Sequence, residues 1–204
     1  MRKILREKFF NRPTITVARE LLGKYLVCRC HCLIRPSSRA KLTTGHGENK
    51  RIVKKYKDVA VMITEVEVYD GFKDKASQAF RGKTERNKIM FGEAGTIYVY
   101  FTYGMHFMLN IVTGKKNYPA AVLIRGAGEY NGPAKLTKAL KIDKRLNNKT
   151  LGKKTGLWVE DRGILSRKLK VESGKWKIIR TPRIGIPRAE EWVKKPLRFV
   201  LKNK

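Results

Sequence analysis

The sequence predicts an α+β fold: one domain spanning 1–204, built on a curved, mainly antiparallel β-sheet flanked by helices and carrying a protruding β-hairpin. Strand-like runs follow one another at 59–70, 95–112, 120–125, 157–159, 177–179, 183–186 and 196–201, with too few helices between them for the βαβ spacing of a parallel sheet. Two amphipathic stretches, 14–22 and 132–140, supply the helices. Hydrophobic residues make up 42% of the 204, enough for a sizeable core, and no repeat, low-complexity tract or linker divides the chain.

In the first helix Thr16 is expected to cap the start, Val17, Leu21 and Leu22 to form the buried stripe, and Gly23 to end it. Residues 25–32 then read as a strand. Its Cys28, Cys30 and Cys32 fall on one face and pack as small apolar groups, because their spacing fails the common zinc patterns and no second cluster of cysteines follows. From 35 to 57 the chain turns to Ser, Thr, Gly, Lys and Arg, an exposed loop or long hairpin.

The stretch 63–71 then departs from ordinary strand patterning. Alternation puts Glu65, Glu67 and Tyr69 on one face and Val66 and Val68 on the other. The strand emerges from the apolar run 59–63 and ends at Asp70-Gly71, so it carries a carboxylate pair at the end of a buried strand in a very basic chain. The polar loop 74–87 follows, rich in hydroxyl and guanidinium donors, as expected of a segment that wraps a phosphate backbone; Lys83, Thr84 and Arg86 are its candidate contacts.

Residues 95–112 are two aromatic-rich runs joined around Tyr103-Gly104, a β-hairpin that places Tyr98 and Tyr100 on one face. Tyr103 and Met105 fall at its tip, where there is no core to fill; an apolar wedge for a base stack is such a residue in such a place. His106 beside them is a candidate phosphate or groove contact. A buried strand over 120–125 ends in Arg125, and 132–140 has Pro133 at a helix start and a lysine face.

Charge narrows the partners. With 47 Lys+Arg against 17 Asp+Glu the formal net charge is +30, so nucleic acid comes first and an anionic membrane surface second. No apolar run approaches the ~18 residues of a membrane span, and the first residues lack a signal-peptide core, so a cytoplasmic protein is expected, nucleoid-associated in a prokaryote or nuclear in a eukaryote. A polyanion-binding surface, stacking tyrosines and a carboxylate near them fit an enzyme that extrudes a base from a duplex. The carboxylate would deprotonate a water attacking the sugar C1′ and stabilise the oxocarbenium-like transition state.

At these residues the chain resembles the alkyladenine (3-methyladenine) DNA glycosylases. The resemblance rests on Phe9-Phe10, Ala18 to Gly23, Thr64 to Tyr69, Arg86-Asn87, Met90-Phe91, Gly95 to Tyr100, Tyr103 to Met105, Asn110, Gly132 to Leu136, Glu191-Trp192 and Lys195 to Phe199. Two variable basic loops, about 33–57 and 144–176, lie outside it. The resemblance implies a metal-free and cofactor-free monofunctional hydrolase that acts as a monomer on double-stranded DNA, excising alkylated or deaminated purines. It implies Glu67 as general base and Arg125 as the residue holding Glu67 and its water. Tyr69 and Tyr100 become the walls of the flipped-base pocket, Tyr103 the wedge with Met105 beside it, and Asn110 the side chain that refuses the 2-amino group of guanine. Ile186 lines the pocket through its backbone. One position departs from the family: its Asp-x-Ala-Ser-His-Ala string reads here with Gln78 for the histidine. Gln78 keeps hydrogen bonding but offers neither an aromatic face nor a titratable proton.

Three other readings compete. A non-enzymatic RNA- or ribosome-binding protein would leave Glu67 a solvated strand residue. A metal-dependent nuclease would use Glu65 and Glu67 as ligands, although hard-metal sites need further carboxylates. A lyase would form a Schiff base on a lysine, and no lysine is singled out by its neighbours.

Overall fold

The computed structural model of the chain describes residues 2–30, 57–102, 104–163 and 176–203. Its organising element is the 14-residue strand β3 (Lys57–Asp70). The first half of β3 pairs with β2 (Tyr25–Cys30), and the second half pairs with β10 (Arg198–Asn203). On its other side runs β6 (Ala120–Ala127), with register shifts at Ile63/Glu65 and Glu65/Val66. Such irregularities bend a strand and re-aim its side chains. The path continues from β6 to β5 (His106–Val112) and β4 (Ile97–Thr102), the predicted hairpin. At the opposite end β2 pairs with β8 (Leu157–Asp161), which pairs with β1 (Lys3–Ile4). The short β7 (Tyr130–Asn131) pairs with β6, and β9 (Trp176–Thr181) pairs with β10. Every one of these pairings is antiparallel.

Val66, Val68, Ile97, Val99, Leu109, Ile111, Val122 and Ile124 form one face of the sheet and belong to the main core, with Val17, Leu21 and Leu136 from the helices. Those helices are α2 (Thr14–Leu21) and α3 (Pro133–Ala139), preceded by the single turn α1 (Glu7–Phe10). Among the described residues no helix is long and apolar enough to cross a membrane.

Two local expectations, Thr16 as a cap and 183–186 as a strand, are revised. Thr16 lies inside α2: the cap position falls on Pro13, and Thr14 donates its hydroxyl to Asp70 Oδ1 at 3.0 Å, so a tertiary bond to the end of β3 takes the place of a cap. Residues 183–186 are not a strand. Pro182 and Pro187 bracket them, Gly185 adopts φ +79°, and Arg183 is drawn away into a buried ion pair, which leaves no straight segment to join a ladder. The start of the second basic loop is ordered against the hairpin: Ile97 N–H donates to Lys149 O and Asn148 N–H to Ile97 O, covering the outer edge of β4. Cys28 is buried with its thiol on Leu140 O, whereas Cys32 and the loop 31–56 lie outside the described residues.

Candidate active site

Residues directly opposite each other in a sheet project from the same face. The register therefore draws a row across five strands: Tyr98 opposes Asn110, Asn110 opposes Leu123, Leu123 opposes Glu67, and Glu67 opposes Arg198. Tyr69 and Tyr100 lie two residues further along β3 and β4, and Arg125 two residues further along β6, on that same face. One face thus makes the core, and the other gathers chemistry-bearing side chains from β3, β4, β5, β6 and β10. A second, smaller apolar cluster containing Ala79, Met90, Phe91 and Tyr98 backs Tyr69 and Tyr100.

Glu67 is 0% exposed. Its Oε1 accepts the Ile184 backbone N–H at 2.8 Å, and its Oε2 accepts the Tyr69 hydroxyl at 3.0 Å. Arg125 Nη1 stands 3.4 Å from Oε1, while Arg125 Nε is committed to Glu65 Oε1 at 2.8 Å. Burial raises the Glu67 carboxyl above its ordinary value, more strongly than Arg125, the Ile184 N–H and Tyr69 together lower it; the Glu65 charge adds to the rise. Burial and the Glu67 charge push the Tyr69 phenol well above its usual range, which keeps it a donor to Glu67.

Sequence reasoning missed Arg183. It forms a fully buried bidentate pair with Asp74, at 2.6 and 2.8 Å, and donates to Val68 O at 2.7 Å. Its guanidinium carbon sits 4.9 Å from the Tyr69 ring centroid, a cation–π contact that fixes this ring. Asp74 also accepts the N–H groups of Asp70 and Ala76. Nothing local announces a partnership across 109 residues of sequence.

Tyr98 and Tyr100 are neighbours, their ring centroids 5.3 Å apart. The Tyr98 hydroxyl, raised above its normal pKa mainly by burial, donates to Gln78 Oε1 at 2.6 Å. The amide that replaces the family's histidine is therefore anchored. Asn87 Nδ2 staples the loop by donating to Gln78 O and Gly82 O, a role the sequence left unmarked. Asn110 is buried, and its Nδ2 lies 3.3 Å from both Tyr98 O and Met108 O. Gln78 and Ile186 meet as lining of one cleft of about 610 Å³, alongside Lys75, Phe80 and Arg188.

Toward the hairpin tip, Met105 is 66% exposed beside Gly104 at φ +66°, a conformation glycine adopts without penalty. Tyr103 lies outside the described residues. His106 is half-buried opposite Thr102. Lys83 and Thr84 are exposed; Arg86 is exposed too, but its Nη2 donates to Phe101 O and its guanidinium lies 5.6 Å from the Tyr100 centroid, so it braces the hairpin. Glu65 Oε1 also receives Arg198 Nε at 2.6 Å. Two guanidiniums beside the Glu65–Glu67 pair repel a divalent cation, which argues against the metal-nuclease reading. Among the described residues no three His, Cys, Asp or Glu side chains gather into a metal site.

Comparison with known proteins gives a concordant result. A family model described as methylpurine-DNA glycosylase (MPG) matches residues 49–129 and 127–204. A protein of Methanocella arvoryzae is 37% identical over 98% of this chain and 93% of its own length, and one of Legionella pneumophila (strain Paris) is 36% identical over 100% and 96%. A Wolbachia pipientis protein is 41% identical over 72% of this chain and 69% of its own length. All three carry the name "Putative 3-methyladenine DNA glycosylase".

Proposed function

The chain belongs to the methylpurine-DNA glycosylase family, and from that premise we propose that it extrudes alkylated or deaminated purines, 3-methyladenine among them, from duplex DNA and hydrolyses their N-glycosidic bond with a water activated by Glu67. The observation that carries this reading is the sealed Glu67 carboxylate, held on the same sheet face as Tyr69, Tyr100 and Arg125. A solvated strand glutamate, as the RNA-binding alternative requires, would not be 0% exposed.

The flipped purine stacks between Tyr69 and Tyr100. Unstacking costs a few kcal/mol, and stacking returns about 1–3 kcal/mol per base, so two rings offset most of it. Glu67 Oε2 accepts the Tyr69 hydroxyl on one lone pair and takes the water on its other. The water oxygen bonds to C1′ as the C1′–N9 bond breaks. That bonding pair leaves on the purine, which a cationic lesion accepts as a neutral base, and the water proton passes to Glu67. The ionised carboxylate also stabilises positive charge developing at the sugar. Tyr103 and Met105 fill the gap in the stack, Asn110 crowds the guanine 2-amino group, Gln78 and Ile186 border the base, and Lys83, Thr84, His106 and the Arg86 N–H groups not bound to Phe101 face phosphates. The enzyme acts as a monomer.

The test is release of free purine from methylated duplex DNA, with chelator present, followed by chromatography of the base and alkaline cleavage at the abasic site. Free methylated purine in chelator is the expected result. A metal-dependent strand break, a borohydride-trapped protein–DNA adduct, or tight RNA binding with no base released would overturn the proposal.

A further inference from the structure

Glu65 is buried, and a single oxygen of it is shared by two guanidiniums, Arg125 Nε at 2.8 Å and Arg198 Nε at 2.6 Å. It stands where the register of β3 slips on either side, at Ile63/Glu65 and Glu65/Val66, the kind of irregularity that re-aims a side chain. Arg198 is itself tethered, its Nη1 donating to Thr181 Oγ1 on β9 at 3.2 Å. Arg125 reaches Glu67 only at 3.4 Å, longer than the 2.7–2.9 Å or so of a good charge-assisted bond.

We propose that Glu65 and Arg198 are a positioning pair that sets how closely Arg125 approaches the general base: Glu65 holds Arg125 back from Glu67, and Arg198 limits the strength of that hold. The inference rests on Glu67 being the base. A guanidinium seated squarely on Glu67 would occupy the lone pairs that water needs and weaken the carboxylate as a base. Without Arg198, Glu65 would sit beside Glu67 with half its charge compensation gone. The groups facing Glu67 are Glu65 and Tyr69 on β3, Arg125 on β6, Arg198 on β10 and the Ile184 N–H; Arg183, beyond the Tyr69 ring, is neutralised by Asp74. Two carboxylates and two guanidiniums balance, so removing either member of the pair unbalances Glu67 in opposite senses.

The experiment is single-turnover excision of a cationic methylated purine, which needs no acid to leave, measured from acidic to neutral pH. Activity requires ionised Glu67, so its rising limb follows the Glu67 pKa. Glu65→Gln removes a negative neighbour and releases Arg125 toward Glu67; the limb moves about one unit lower and the plateau falls roughly tenfold. Arg198→Ala leaves Glu65 under-compensated, and the limb moves higher by a comparable amount; Arg198→Lys brings it back toward wild type. Should Arg198→Ala fold poorly by circular dichroism, Arg198→Gln carries the same expectation. Shifts in one direction for both variants, or none in folded protein, overturn the positioning pair while leaving the glycosylase reading intact. Wild type that releases no base overturns that reading instead.

Discussion

Replacing Asp74 with asparagine keeps the side chain's shape but removes its charge and turns one acceptor oxygen into a donor, leaving the Arg183 guanidinium, 0% exposed, without a counter-ion. Of the two charge-assisted hydrogen bonds, at 2.6 and 2.8 Å, one becomes a donor facing a donor and the other is left to a neutral amide oxygen. Removing one partner of a buried pair costs about 3–5 kcal/mol, because the other charge stays desolvated. The exposed Arg12–Glu20 pair, also at 2.8 Å but with side chains 33% and 48% exposed, supplies the contrast: Glu20→Gln costs less than about 1 kcal/mol. Urea unfolding followed by circular dichroism measures both. The double variant Asp74→Asn/Arg183→Met removes the stranded charge and regains part of the loss, so the two single effects do not add. A loss below about 1 kcal/mol for Asp74→Asn, or strict additivity in the double variant, would refute the view that this pair clamps the 183–186 loop, and with it the Ile184 N–H, onto Glu67.

Three further outcomes are expected. Gln78→His, compared with wild type in single-turnover excision from matched oligonucleotides, raises the rate on neutral lesions such as hypoxanthine or ethenoadenine more than on cationic 3-methyladenine; an equal effect on both lesion types defeats the idea that Gln78 weakens the grip on the base. Because burial raises the Glu67 carboxyl above 4.5, the folded state binds that proton more tightly than the unfolded chain, and ionising Glu67 costs stability as pH climbs from about 4.5 through the folded value. Glu67→Gln is therefore at least as stable as wild type at neutral pH, and denaturation curves should show that advantage vanish in acid. Gly71→Ala forces an alanine to φ +76° with its Cβ 2.1 Å from the Tyr118 hydroxyl; it costs about 1–2 kcal/mol and lowers the melting temperature by about 4 °C.

The parts of the fold that follow from alternation were legible. The valines of β3 face the core while Glu65, Glu67 and Tyr69 face the site, and the hairpin sets Tyr98 and Tyr100 together, because period-two patterning decides face wherever one side is buried. Proline bracketing, by contrast, defeated the strand assigned to 183–186, and the Thr14 hydroxyl went to Asp70 instead of Thr16 serving as a cap. Pairings between residues far apart in sequence were invisible: Arg183 with Asp74, Arg198 with Glu65, Tyr98 with Gln78. Each depends on a register or loop closure that no short string encodes. In a chain with 47 lysines and arginines, the few turned inward cannot be distinguished by composition from the many that face water.

Single-turnover kinetics of Glu67→Gln on a duplex bearing one methylated purine bear most directly on the glycosylase mechanism. The amide can still accept from the Ile184 N–H, so the fold and DNA affinity should persist, while excision slows by about 10²–10⁴-fold through loss of the base. Excision at the wild-type rate by a folded, DNA-binding Glu67→Gln protein would contradict it.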